Sequence, residues 1–209
     1  MFDLALVAFT TMFATINPID SAIVYAAITA HATIGERNRM AIRGALVATL
    51  ILLIFAFAGD FVLHRLGVSL AGFRVAGGIL LMLIAIDMVF GRVSTASSTT
   101  PDETREATES ADVSVFPLAT PLLAGPGAMG AIILLMSNIR GDVEKQAVVV
   151  GVLVGIMAIS AILLLAAAQL HRVLSRTALS VITRVFGVLL AALAAQFILD
   201  GIKNSGAFT

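Results

Sequence analysis

The 209-residue chain has no cysteine and no tryptophan, one tyrosine, three histidines and five prolines. Without cysteine there is no disulfide, no thiolate metal site and no thiol nucleophile. His31, His64 and His171 are far apart, near expected helix ends, so no metal site is expected. The His-Glu-x-x-His and Gly-x-Gly-Asp runs that would mark an intramembrane protease are absent. Ser21 has no evident histidine partner at its depth, and no nucleotide-binding motif occurs. Neither an enzyme nor a cofactor is expected. Charge is scarce as well. Thirteen basic and thirteen acidic residues cancel and make up only 12% of the chain, against about 25% in a soluble domain. No basic surface is available for nucleic acid.

Apolar sequence fills the rest. Hydrophobic residues make up 59% of the chain, and the mean hydropathy is +1.05. Apolar windows recur at 4–30, 41–63, 70–90, 113–138, 146–168 and 181–201. Each approaches the roughly 20 residues that cross a bilayer. Backbone polar groups in lipid must be satisfied within the chain, so the windows predict six membrane helices and an all-α membrane protein. Met1-Phe2-Asp3 lacks a basic n-region, and the first segment is expected to be retained.

Residues 94–112, running from Ser94 through Pro101 to Asp112, read as a flexible polar linker. It separates a first three-helix repeat (1–93) from a second (113–209). An odd number of spans per repeat makes the repeats inverted. Several matches support duplication. Arg74-Val75-Ala76-Gly77 returns as Arg184-Val185-Phe186-Gly187, Gly44 as Gly151, His64-Arg65 as His171-Arg172, and Gly91 as Gly201. With both termini outside, eight of the thirteen Lys and Arg residues fall on the inner side. The positive-inside rule therefore favours that orientation.

Two prolines interrupt apolar stretches at matching points, Pro18 in Asn17-Pro18-Ile19-Asp20 and Pro126 in Gly125-Pro126-Gly127, 108 residues apart. Proline removes a backbone N–H and clashes with the preceding turn. Broken helices at equivalent points of two repeats point to a transporter's binding site. A restarted helix presents free N–H groups to a carboxylate, and the preceding carbonyl end suits an ammonium group. The candidate substrate-binding residues are Asn17, Pro18, Ile19, Asp20, Ser21, Thr120, Gly125, Pro126 and Gly127. Asp20, a carboxylate inside a span, is a functional candidate by default. Asp20 and Asp87 are the candidates for coupling to a proton or sodium. Small residues around Gly125 favour a small substrate. Gly151-Val152-Leu153-Val154-Gly155 is a small-xxx-small face that suits packing within the protomer or between the copies of a homodimer.

At these residues the chain resembles the MarC family of six-span integral membrane proteins, which includes the SnatA-like small neutral amino acid transporter type. The resemblance is carried by Asn17-Pro18-Ile19, by the run from Phe73 to Leu81, by the run from Pro117 to Ala128, by Thr183-Arg184-Val185-Phe186-Gly187, and by the run from Gln196 to Ile202. It implies a multi-pass protein of the bacterial-type inner membrane. Transport of glycine, alanine and similar amino acids is associated with some members. After Asn-Pro-Ile the family usually reads Gly-Asn, where this chain has Asp20-Ser21, and the added carboxylate is expected to bear on substrate or coupling ion. The expected function is secondary transport of a small neutral amino acid held between the breaks. A cation or drug exporter, or a non-transporting membrane partner or sensor, is the alternative.

Overall fold

A computed structural model describes residues 1–29, 32–91, 112–167 and 176–205. The linker assigned to 94–112 lies outside them apart from Asp112, as do His31 and His171. Among the described residues the structure is helical, with no strand. Helix α1 (Phe2–Ile16) and α2 (Pro18–Ile28) together form the first apolar span. They are followed by α3 (Ile34–Arg65), α4 (Leu70–Phe90), α5 (Ser114–Leu123), α6 (Pro126–Ser137), α7 (Val143–Leu165) and α8 (Arg176–Asn204). Five segments are long and apolar enough to cross a membrane, and α5 with α6 makes a sixth, bent by 55°.

One rule accounts for the irregular points. The residue before a proline is driven out of the right-handed helical region by the pyrrolidine ring. Asn17 is left-handed (φ 45°, ψ 66°), and Phe116 (φ −126°, ψ 127°) and Thr120 (φ −137°, ψ 123°) are extended. Gly125 is extended too (φ −78°, ψ 169°). Each precedes a proline, and the peptide bonds to Pro117 and Pro121 are cis. Between these points α5 winds in wide turns, with the Leu118 amide donating to the Val113 carbonyl at 3.1 Å and the Ala124 amide to that of Ala119 at 2.8 Å.

Helix starts follow their caps. Thr33 and Glu36 form a reciprocal capping box at the head of α3, satisfying two of the amides that a helix start leaves open. The box starts α3 seven residues before the apolar window at 41, so the helix carries a charged first turn beyond its membrane stretch. Ser69 caps α4, its hydroxyl accepting from the Gly72 amide at 3.0 Å. Asp142 caps α7, accepting from the Lys145 amide at 3.0 Å. Tyr25, the one tyrosine, is fully buried, and its hydroxyl donates to the Arg37 carbonyl at 2.5 Å. That bond ties the end of α2 to the start of α3.

Without a hydrophobic force between helices in lipid, close packing at small residues holds a bundle together. Helices α4 and α8 show this most clearly. A Cβ on Gly78 would lie 2.9 Å from the Ala194 carbonyl, one on Gly201 2.8 Å from that of Ala71, and one on Gly187 2.9 Å from Met88 Cβ. Rising numbers on α4 meet falling numbers on α8, so the pair runs antiparallel. Elsewhere α3 packs on α5, α6 and α7, α7 packs on α1 and α2, α6 lies against α1 and α4, and α8 against α1. Exchanging α1 with α5, α2 with α6 and α3 with α7 carries the contacts of α3 with α5 and α6 onto those of α7 with α1 and α2, whereas the α4–α6 and α1–α8 contacts do not exchange in this way. The small-xxx-small face of α7 takes no part, since Gly151 and Gly155 are exposed with open space where a Cβ would stand. Met88, Met136 and Met157 are buried, and Met82 and Met129 pack against the core. The outer surface of α3 carries Leu46, Leu50, Ile54, Phe57 and Phe61, all exposed, as a lipid-facing helix requires.

Candidate functional site

The two breaks meet. Ser21, in the first turn of α2, donates its hydroxyl toward the Ile16 carbonyl at 3.2 Å and toward the Leu122 carbonyl at 3.4 Å. The first carbonyl is at the end of α1 and the second is three residues before Gly125. One buried hydroxyl in the first break thus reaches a carbonyl beside the second, 101 residues away in sequence. Pro18, Ser21, Leu122, Ala124, Gly125 and Gly127 are buried, whereas Asn17, Ile19, Asp20 and Thr120 are partly exposed and Pro126 is exposed.

Both restarts are built alike. Proline stands at the first helical position, where its missing N–H costs nothing and its fixed φ suits the helix. The first helical bonds run from the Ser21 amide to the Asn17 carbonyl at 3.1 Å and from the Met129 amide to the Gly125 carbonyl at 3.0 Å. The amides of Ile19 and Asp20, and those of Gly127 and Ala128, come before these bonds and have no helical partner. Gly127 is confined on its other side, since a Cβ there would lie 2.3 Å from Ile84 Cδ1. Ile84 is one turn before Asp87, which the structure places in α4, half-buried and outside the Asn17–Asp20–Ser21 group.

Side-chain polarity is concentrated at the first break. Asn17 donates its amide to Asp20 Oδ2 at 2.5 Å. Thr15 donates to the Thr11 carbonyl at 2.8 Å. Sequence reasoning missed Thr11, whose hydroxyl is fully buried with no partner within the protein. The Thr11/Thr15 spacing of four residues, which puts both on one helix face, was the available signal. The Ile16 carbonyl belongs to the carbonyl end expected before the first break, whereas the Leu122 carbonyl was missed, because an apolar residue gives no sign of a backbone acceptor.

The second half is anchored beside this region. Arg43 on α3 pairs with Asp112 at 2.6 Å, and the Ser114 amide donates to Asp112 Oδ1 at 2.9 Å. Hydrogen bonding from Ser114 holds the Asp112 carboxyl below its ordinary value, with Arg43 and Arg39 adding to the effect. Gly44 lets α5 approach, since a Cβ there would lie 2.9 Å from the Ser114 carbonyl. At the far end of α3 and α6, the Arg74 guanidinium donates to the Asn138 side-chain carbonyl. A cavity of about 280 Å³ opens at that end, lined by Phe57, Phe61, His64, Ile133, Arg140 and Gln146 among others. None of its lining residues belongs to either break. Among the described residues no group of three or more His, Asp or Glu side chains comes together to hold a metal ion.

A bundle of apolar helices with two interrupted spans joined at their breaks defines a multi-span integral membrane protein. The chain belongs to the MarC family, whose profile of integral membrane proteins matches residues 2–205. It is 34% identical over 200 residues to the UPF0056 membrane protein MJ1677 of Methanocaldococcus jannaschii, covering 96% of each chain. It is 34% identical over 203 residues to YhcE of Escherichia coli, covering 94% of this chain and 90% of that one. With YvbG of Bacillus subtilis it shares 31% over 204 residues, covering 98% and 96%. No solved structure matches.

Proposed function

We propose that the protein is a secondary transporter of small neutral amino acids of the glycine and alanine type, acting in a bacterial-type inner membrane with both termini outside. The observation that carries this reading is the Ser21 hydroxyl set between the Ile16 and Leu122 carbonyls, which puts the two helix interruptions side by side. Interrupted helices meeting in the interior supply the two kinds of group that a zwitterion needs, free amides for its carboxylate and freed carbonyls for its ammonium group. Glycines at 125 and 127 leave room for a small side chain. Asp20, held by Asn17 and partly exposed, is the nearest carboxylate for coupling to a proton or sodium, and Asp87 is the second candidate. The antiparallel α4/α8 pair supports inverted repeats, which would let the halves exchange roles as access alternates.

The test is flux of labelled glycine and alanine into proteoliposomes, with and without a pH or sodium gradient. Saturable flux that Gly125→Leu destroys is expected. No flux of either amino acid through folded protein would overturn the substrate assignment and favour another solute or a non-transporting role. Asp20→Asn is expected to abolish transport or change its pH dependence, and unchanged uptake at every pH would remove Asp20 from the mechanism.

A further inference from the structure

The outward face of α8 carries a polar pair where lipid alone would favour an apolar one. Val185, Val188, Leu189, Ala192, Gln196, Leu199 and Lys203 form its exposed stripe, and Val185, Val188 and Leu199 are more than half exposed. Gln196 lies 8 residues before the end of the Thr183–Asn204 span and five before the end of the apolar window at 201, inside the apolar stretch and about 8 Å to one side of the middle of that window at 1.5 Å per residue. Its amide donates to Asp200 Oδ1 at 2.9 Å, one turn on. That bond uses one of two N–H groups and leaves the amide oxygen open. An amide facing hydrocarbon at this depth is costly.

We infer that this face of α8 is the contact between two copies of the chain. A two-fold axis along the membrane normal would bring Gln196 against Gln196 of the partner subunit at the same depth, as an isologous contact requires. Each amide would then donate its second N–H to the other's oxygen, while Asp200 fixes the rotamer through the first. The arrangement is self-complementary and uses every polar atom of the amide. Ala192, one turn before Gln196, allows the two helices to approach closely. The exposed Gly151–Gly155 face of α7 is the rival surface. Glycines facing lipid leave no polar side chain unsatisfied, so that face does not require a partner in the way Gln196 does.

The natural absence of cysteine makes the test direct. Single Ala192→Cys and Val188→Cys variants in native membranes are oxidised and compared with Val154→Cys on α7. The expected result is a disulfide-linked dimer from the α8 positions and little from Val154→Cys. Gln196→Leu should weaken dimerisation about fivefold to tenfold in single-molecule photobleaching at graded protein-to-lipid ratios, from two interhelical hydrogen bonds of modest strength. Cross-linking through Val154→Cys instead, equal cross-linking at all three sites, no dimer at any dilution, or an unchanged dissociation constant in Gln196→Leu would each overturn the inference.

Discussion

The two helix breaks begin from the same event, a proline at the first position of a restarted helix, and differ in how polarity is supplied. At Asn17–Pro18 the chain barely loses its course, and α1 and α2 still read as a single span. One left-handed residue absorbs the interruption, and the polar groups come from side chains: Asn17, Asp20 and Ser21. At Gly125–Pro126 the chain bends by 55°, and the segment before the break is wound too wide for an α-helix. There the polarity comes from the backbone, because 121–128 holds only proline, leucine, alanine, glycine and their peptide groups. One break is chemically specific and geometrically mild, and the other is the reverse. Ser21 is the point where they are joined.

Substitutions can separate the two kinds of break. The largest effect is expected at the second, where space is the constraint. Gly127→Val should destabilise the protein by about 1–3 kcal/mol through overpacking against Ile84. Ile84→Ala should partly rescue it, so that thermal unfolding of the double variant in detergent shows less than the summed cost. Strict additivity would mean that the α4–α6 contact does not set the limit. At the first break conformation is the constraint. Asn17→Ala should cost about 1–2 kcal/mol, because alanine lacks the side chain that makes the left-handed region tolerable. Asn17→Gly should keep the melting temperature much closer to the parent. Equal losses in both would point to the Asn17–Asp20 hydrogen bond instead of the backbone.

Removing the link between the breaks should cost less. Ser21→Ala is expected to lower stability by about 0.5–1.5 kcal/mol, the usual size of one net hydrogen bond, while reducing flux more than stability. The smallest effect is at the start of the second half. Asp112 has a depressed pKa in the folded protein, so its contribution is complete above the unfolded value of about 4. It is lost as pH falls through the folded value. Acidification from pH 6 to pH 3 should therefore lower the melting temperature of the parent more than that of Asp112→Asn. The difference should stay under about 1 kcal/mol, because Arg43 and Asp112 are each about half exposed and solvent screens the pair. An identical pH response in both proteins would show that the Arg43–Asp112 contact does not anchor α5.

Much of this fold was legible because its signals are local. A proline acts on its own neighbour, so Pro18 and Pro126 marked the breaks, and apolar length located the spans. Signals that need a distant partner were not legible. Nothing in Leu122 announces that its carbonyl meets Ser21. The wide winding of α5 depends on Pro117 and Pro121 acting together. The early start of α3 was readable in principle, since Thr33 and Glu36 have capping-box spacing, but hydropathy alone puts the helix seven residues too late. The Gly151–Gly155 motif was visible, whereas its outward orientation required the packed bundle.

The buried tyrosine has a mechanical consequence. Asn17 is the single left-handed residue between α1 and α2, and Tyr25 fastens the far end of α2 to the head of α3 through the Arg37 carbonyl. Any tilt of α2 about Asn17 would therefore drag the 32-residue α3 with it, or break a partly buried hydrogen bond. A small rotation at one asparagine would be converted into displacement of the longest helix among the described residues.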